Sequence, residues 1–182
     1  MKNLLVLLFS VISVNITFGQ GVNLDSLSLN VYNKLVEVVN KEGRKFNPYY
    51  SKKISELFSD SANIYIEKTG IFNHNPNTFD NYRKKIRNNI KEIHPDRNKN
   101  DSFFGADEIC VFFELSKYKN MDIEKITDKA IKAWMNSPEH STIIKCYSSF
   151  DDNRLVLFGV SSKYDKKRNN IYITVNSFKC GR

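Results

Sequence analysis

The C-terminal part of the chain constrains the fold most. RLVLFGVSS, residues 154–162, and NIYITVNSF, residues 170–178, are apolar, β-branched and aromatic runs flanking the charged loop KYDKKRN. That pattern is an antiparallel hairpin. A third run, ADEICVFFEL at 106–115, has the composition of a strand buried on both faces. A sheet built from such strands has to be covered, and the remaining sequence supplies the cover as amphipathic helices.

Apolar residues recur at helical spacing at Leu29, Tyr32, Leu35 or Val36, and Val39, with Gly43 placed as a C-terminal cap. A second stripe follows Pro48: Ile54, Leu57, Phe58, Ala62 and Tyr65, with Gly70 beyond its end. Residues 79–93 put Phe79, Tyr82, Ile86, Ile90 and Ile93 on one face of a basic helix that Pro95 stops. In MDIEKITDKAIKAWMNS the stripe is Ile123, Ile126, Ala130 and Ala133 or Trp134, with Asp122 as cap and Met121 and Ile126 at staple positions. Helices lead and strands finish, so the expected class is α+β, a small antiparallel sheet covered by helices. Without internal repeats or a Pro/Gly/Ser linker, residues 20–182 read as one domain.

MKNLLVLLFSVISVNITFGQ, residues 1–20, has one Lys, an apolar run from Leu4 to Val14 and small residues suited to cleavage after Gly19. Residues 1–19 read as a secretory signal peptide. The run is shorter than the roughly 20 residues that a membrane span needs, so a secreted, extracellular or periplasmic location is expected. The net charge of +8 is scattered through Lys-Asn-rich loops, with no pattern of the kinds that grip nucleic acid. Most of it reads as solvated surface, with some attraction to an anionic envelope. Three cysteines, Cys110, Cys146 and Cys180, lack C-x-x-C spacing. The hairpin brings the start of its first strand beside the end of its second, which favours a Cys146–Cys180 disulfide and leaves Cys110 as the free thiol.

KEIHPDRNKND, residues 91–101, contains a His94-Pro95-Asp96 triplet after a basic helix, which resembles the recognition loop of a J-domain. That module continues with an amphipathic helix, whereas here the chain continues into CVFFEL. The triplet therefore reads as a helix stop with a polar turn.

AWMNSPEH, residues 133–140, is the most specific string in the chain. It closely resembles the helix-to-turn segment Ala-Trp-Met-Asn-Ser-Pro-Gly-His of bacterial members of the CAP superfamily, named for cysteine-rich secretory proteins, antigen five and pathogenesis-related proteins. Glu139 stands in place of the Gly. IFNHNPNTF at 71–79 resembles the segment bearing the family's first cleft histidine, ADEIC its Gly-Glu-Asn-Ile, FGVSS its Gly-Val strand and IYITVNSF its closing strand. The resemblance implies a three-layer α-β-α sandwich with a cleft in which His74, His140 and Glu108 hold a divalent metal, zinc or similar, with Asn136 and Ser137 in the lining. Ser137 replaces a second glutamate seen in many members, and Asp107 and Ile109 replace residues flanking the first.

Ser137 suits an N-cap, with Pro138 at the first helical position and Glu139 at the positive helix end. His140 in that turn would be held neutral and able to ligate. Two imidazoles and a carboxylate suit zinc with an open position for water, an arrangement that permits hydrolysis. His74, before Asn75-Pro76, reads equally as a loop residue, and Glu108 as a satisfied buried acid. The chain has no HExxH, G-x-S-x-G or phosphate-binding Gly loop, and Cys110 lies in an apolar run. These features point to a non-enzymatic module binding a small molecule, a lipid or an envelope component. A metal-dependent extracellular hydrolase using the same cleft is the alternative.

Overall fold

The computed structural model describes residues 22–41, 47–72, 79–117, 122–146 and 155–181. The architecture is α+β: four strands form one mixed sheet with helices packed on both faces, an α-β-α sandwich.

Strands β2 (Ser102–Glu114), β3 (Leu155–Asp165) and β4 (Asn170–Gly181) are antiparallel neighbours, with β4 between the other two. The expected hairpin is β3–β4, with Leu155 opposite Cys180 and Asp165 opposite Asn170. A fourth strand, β1 (Asn47–Tyr50), pairs with β3 in parallel, so the expected antiparallel sheet is a mixed one. Pro48 has no N–H to donate and stands in an edge strand, where a ladder tolerates it.

One face carries Ile109 and Phe113 of β2, Val156, Phe158 and Val160 of β3, and Ile171, Ile173 and Val175 of β4. Helices α1 (Leu24–Lys41), α6 (Ile123–Asn136) and α7 (Pro138–Cys146) cover it. In α1 the buried stripe is Leu27, Val31, Leu35 and Val39. Leu29, expected on the stripe, is exposed; Tyr32 is half-buried against Tyr50 and Phe158. Asp122 caps α6 as expected, its Oδ1 accepting from Lys125 N at 2.8 Å, while Gly43 and Met121 lie outside the described residues.

The opposite face is covered by α2 (Lys52–Ile54), a π-turn (Ser55–Ser59) and α3 (Asp60–Thr69), which run on continuously, and by α4 (Tyr82–Asn88) and α5 (Ile90–Ile93). Gly70 ends α3 at φ 71°, its N–H donating to Ile66 O at 2.8 Å, a left-handed cap that glycine adopts freely. The single basic helix expected over 79–93 is broken at Asn89, whose Nδ2 donates to Lys85 O at 2.8 Å, although Ile86, Ile90 and Ile93 stay on one buried face. His94 is extended before Pro95, its ring lies 4.1 Å from that of Tyr49, and Nδ1 accepts from Asp96 N at 3.2 Å. The triplet is a helix stop, and a strand follows it.

The expected Cys146–Cys180 disulfide is not formed, because Cys180 is a free thiol within the second core. Its register partner is Leu155 as anticipated, but Cys146 ends α7 in the layer on the other side of the sheet. Cys110 is also free and buried, as expected.

Candidate functional site

The AWMNSPEH segment forms the joint between α6 and α7. Trp134 is 1% exposed and belongs to the first core. Ser137 leaves the helical conformation at φ −89° and ψ 121°, and Pro138 opens α7 with its fixed φ and no wasted donor. Ser137 Oγ accepts from His140 N at 3.5 Å, a long cap bond, which puts His140 half-buried in the first turn as anticipated. Asn136 is exposed and Ser137 half-buried. Trp134 Nε1 has no hydrogen-bond partner among the described residues.

Glu108 faces the other way. It is 5% exposed, and its Oε2 accepts from Asn176 Nδ2 at 3.0 Å across the β2–β4 ladder. The Ser59 hydroxyl lies 2.9 Å from Asn176 Oδ1 and 3.0 Å from Gly159 O. Asn63 Nδ2 donates to Ser161, Thr174 Oγ1 donates to Asn63 Oδ1 at 2.7 Å, and the Ser161 hydroxyl donates to Asp60. Val160 N donates to Ser55 Oγ at 3.0 Å. These residues form a buried polar seam between the π-turn with α3 and the sheet, and satisfying each group offsets the cost of desolvating it. Gly159 makes the seam possible: a Cβ there would lie 2.5 Å from Ser55 N and 2.6 Å from Ile54 C.

Strand alternation therefore assigns Glu108 and His140 to opposite layers. Asp107 points to the α1–α6–α7 side, with Ile109 and Phe113. Its carboxylate is a quarter exposed, and Lys179 Nζ stands 3.3 Å from Oδ2 as an ion pair. A bulge at Gly105, φ 71°, makes room for that lysine, since a Cβ would meet Lys179 Cδ at 2.9 Å. Ser177, the register partner of Asp107, is fully buried, and its Oγ lacks a hydrogen-bond partner among the described residues. Placing the resemblance on Ile109 rather than on the glutamate would have put the acid at Asp107.

His74 and the side chain of Cys146 lie outside the described residues, among which no group of three His, Cys, Asp or Glu gathers in a way that could hold a metal. Sequence reasoning missed a cleft of about 280 Å³ where α1, the end of β1 and α2 meet β3, lined by Asp25, Tyr50, Lys52, Glu56, Asp60 and Ser162. These residues come from separate elements, so no local pattern reveals it.

No family model and no curated protein matches the chain. A solved structure does: an outer surface protein from Borrelia burgdorferi, 16% identical, with a TM-score of 0.53, covering 85% of this chain and 92% of that one. The likeness is one of fold. No helix among the described residues is long and apolar enough to cross a membrane.

Proposed function

We propose that this chain is an exported, envelope-facing binding module on a CAP-like scaffold, and that it is not a hydrolase. The observation carrying the second half is the assignment of Glu108 and His140 to opposite layers. Glu108 is engaged in the polar seam, and the acid on the His140 side, Asp107, already holds a lysine. A catalytic base or a metal ligand would have to displace one of those partners first. The first half is supported by the leader-like N-terminus, by the AWMNSPEH joint and by the fold shared with a protein named for the outer surface.

The test is metal content and turnover of purified protein against a His74→Ala/His140→Ala double variant with folding checked by circular dichroism. The proposal expects no stoichiometric metal lost with the histidines and no hydrolysis that depends on His140. Chelator-sensitive turnover, restored by one ion and abolished by the double variant, would refute it in favour of the metal-dependent hydrolase with His74, His140 and Glu108.

A further inference from the structure

Of the five large apolar side chains left exposed among the described residues, Ile71, Phe72 and Phe112 come together at one tip of the sandwich. Phe72, just past α3, packs against Phe112 of β2 with ring centroids 4.7 Å apart and the rings tilted by 58°, and Phe112 in turn lies 6.5 Å from Tyr172. Both phenylalanines stay 42% exposed and Ile71 56%. The pair therefore does not complete the core beneath it.

The same tip carries the β3–β4 turn. Arg168 reaches from that turn to Gly70, where its guanidinium donates to Glu67 O at 2.9 Å and to Asp165 Oδ2 at 2.7 Å. This clamp fixes the turn beside the aromatic pair. Lys166 and Lys167 stand exposed on the turn and Lys68 at the end of α3, none with a carboxylate partner among the described residues. Apolar rings rimmed by exposed lysines match a bilayer whose interior accepts rings and whose surface carries phosphate charge.

We propose that this tip is a peripheral docking surface for anionic lipid bilayers. Ile71, Phe72 and Phe112 would enter the headgroup region while Lys68, Lys166 and Lys167 meet the phosphates. The inference rests on the exported, envelope-facing reading, because it supplies the membrane that such an export route would present.

The test is sedimentation of the purified protein with vesicles of phosphatidylcholine alone and of an equal mixture with phosphatidylglycerol. Binding is expected to the mixed vesicles only and to weaken with salt. Lys166→Gln/Lys167→Gln should lower the partition coefficient roughly thirtyfold, at about fivefold per basic residue near a charged surface. Ile71→Ser/Phe72→Ser, with its fold checked by circular dichroism, should also lower binding to the mixed vesicles. Equal binding to both vesicles, no binding to either, or wild-type partitioning by both variants would overturn the proposal. Capture by soluble polyglutamate without vesicle binding would overturn it in favour of an acidic peptide partner. Cell fractionation tests export separately: a chain found outside the cytoplasm that ignores anionic vesicles overturns the docking surface and leaves the exported reading intact.

Discussion

Gly159→Ala perturbs a close approach between strand β3 and the backbone where α2 meets the π-turn. The added methyl would sit 2.5 Å from Ser55 N and 2.6 Å from both Ile54 C and Ile54 Cγ2. Two of those three atoms are helix backbone, so relief requires α2 and the π-turn to move away from β3 by close to an ångström. Overpacking of this kind costs about 1–3 kcal/mol. The same movement stretches the 3.0 Å bonds from Val160 N to Ser55 Oγ and from Ser59 Oγ to Gly159 O, both buried. Each buried bond lost adds about 1 kcal/mol. The expected loss is about 3–5 kcal/mol, a large part of the ~5–15 kcal/mol of a typical domain. A chain of this size should lose about 10 °C in melting temperature.

Urea denaturation followed by circular dichroism would measure it, with Ser55→Ala and Ser59→Ala made singly and with Gly159→Ala. Once the glycine is replaced, removing either hydroxyl should cost less than in the wild type, because the bond is already strained. A loss below about 1 kcal/mol, or strict additivity of the double variants, would refute the claim that the helix is seated on the strand through Gly159.

The buried thiols should be unreactive. Burial pushes Cys110 up to about 12, with the Glu108 charge adding to it, and burial pushes Cys180 up to about 11. Thiolate is the attacking form, so mass spectrometry after native maleimide treatment should find neither residue labelled and find both labelled in denaturant. Burial alone would raise the Asp165 carboxyl, but hydrogen bonds from Arg168 and Tyr172 outweigh it and hold the group below its ordinary value. A depressed folded value contributes stability above the unfolded carboxylate range, and that stability is lost as pH falls through the folded value. Asp165→Asn should therefore destabilise by about 2 kcal/mol at neutral pH and flatten the acid limb of a stability–pH curve. An unchanged acid limb would refute the assignment. Glu108→Gln keeps an acceptor for Asn176 and should be tolerated, whereas Glu108→Ala leaves a buried amide unmet and should cost about 1–3 kcal/mol in the same urea titration.

Elements whose signals are local were legible in the sequence. Asp122 and the stripe Ile126, Ala130, Trp134 placed α6, and the two apolar runs placed the hairpin to within a few residues. β1 was missed because four residues containing a proline carry no period; pairing with β3 makes it a strand. The stripe of α1 was right at Leu35 and Val39 but wrong at Leu29, which counted as apolar although the helix turns it to solvent. At the candidate site the parity of β2 separates two of the expected residues. A resemblance matched on residue type put the acid at Glu108, but alternation along β2 decides which layer a side chain enters, and one residue changes the answer. The disulfide failed for a related reason, since hairpin register says which strand ends meet and nothing about the layer in which the preceding helix lies.

The two faces of the sheet are held by different forces. The α1–α6 face is aliphatic and aromatic, a contact that tolerates small slides because dispersion has little direction. The opposite face sets Glu108, Asn176, Thr174 and Ser161 against Ser55, Ser59 and Asn63, where each group has a named partner. A one-residue slip of β2 would carry Glu108 into the apolar core and strand the Asn176 amide. The same slip would turn Ile109 and Phe113 out of the apolar core, so the polar seam reinforces a register that the apolar face also favours. A carboxylate employed this way would have to give up Asn176 before it could serve a metal or accept a proton. Chemistry at the α6–α7 joint would have to draw instead on Asp107, and its first competitor there is Lys179.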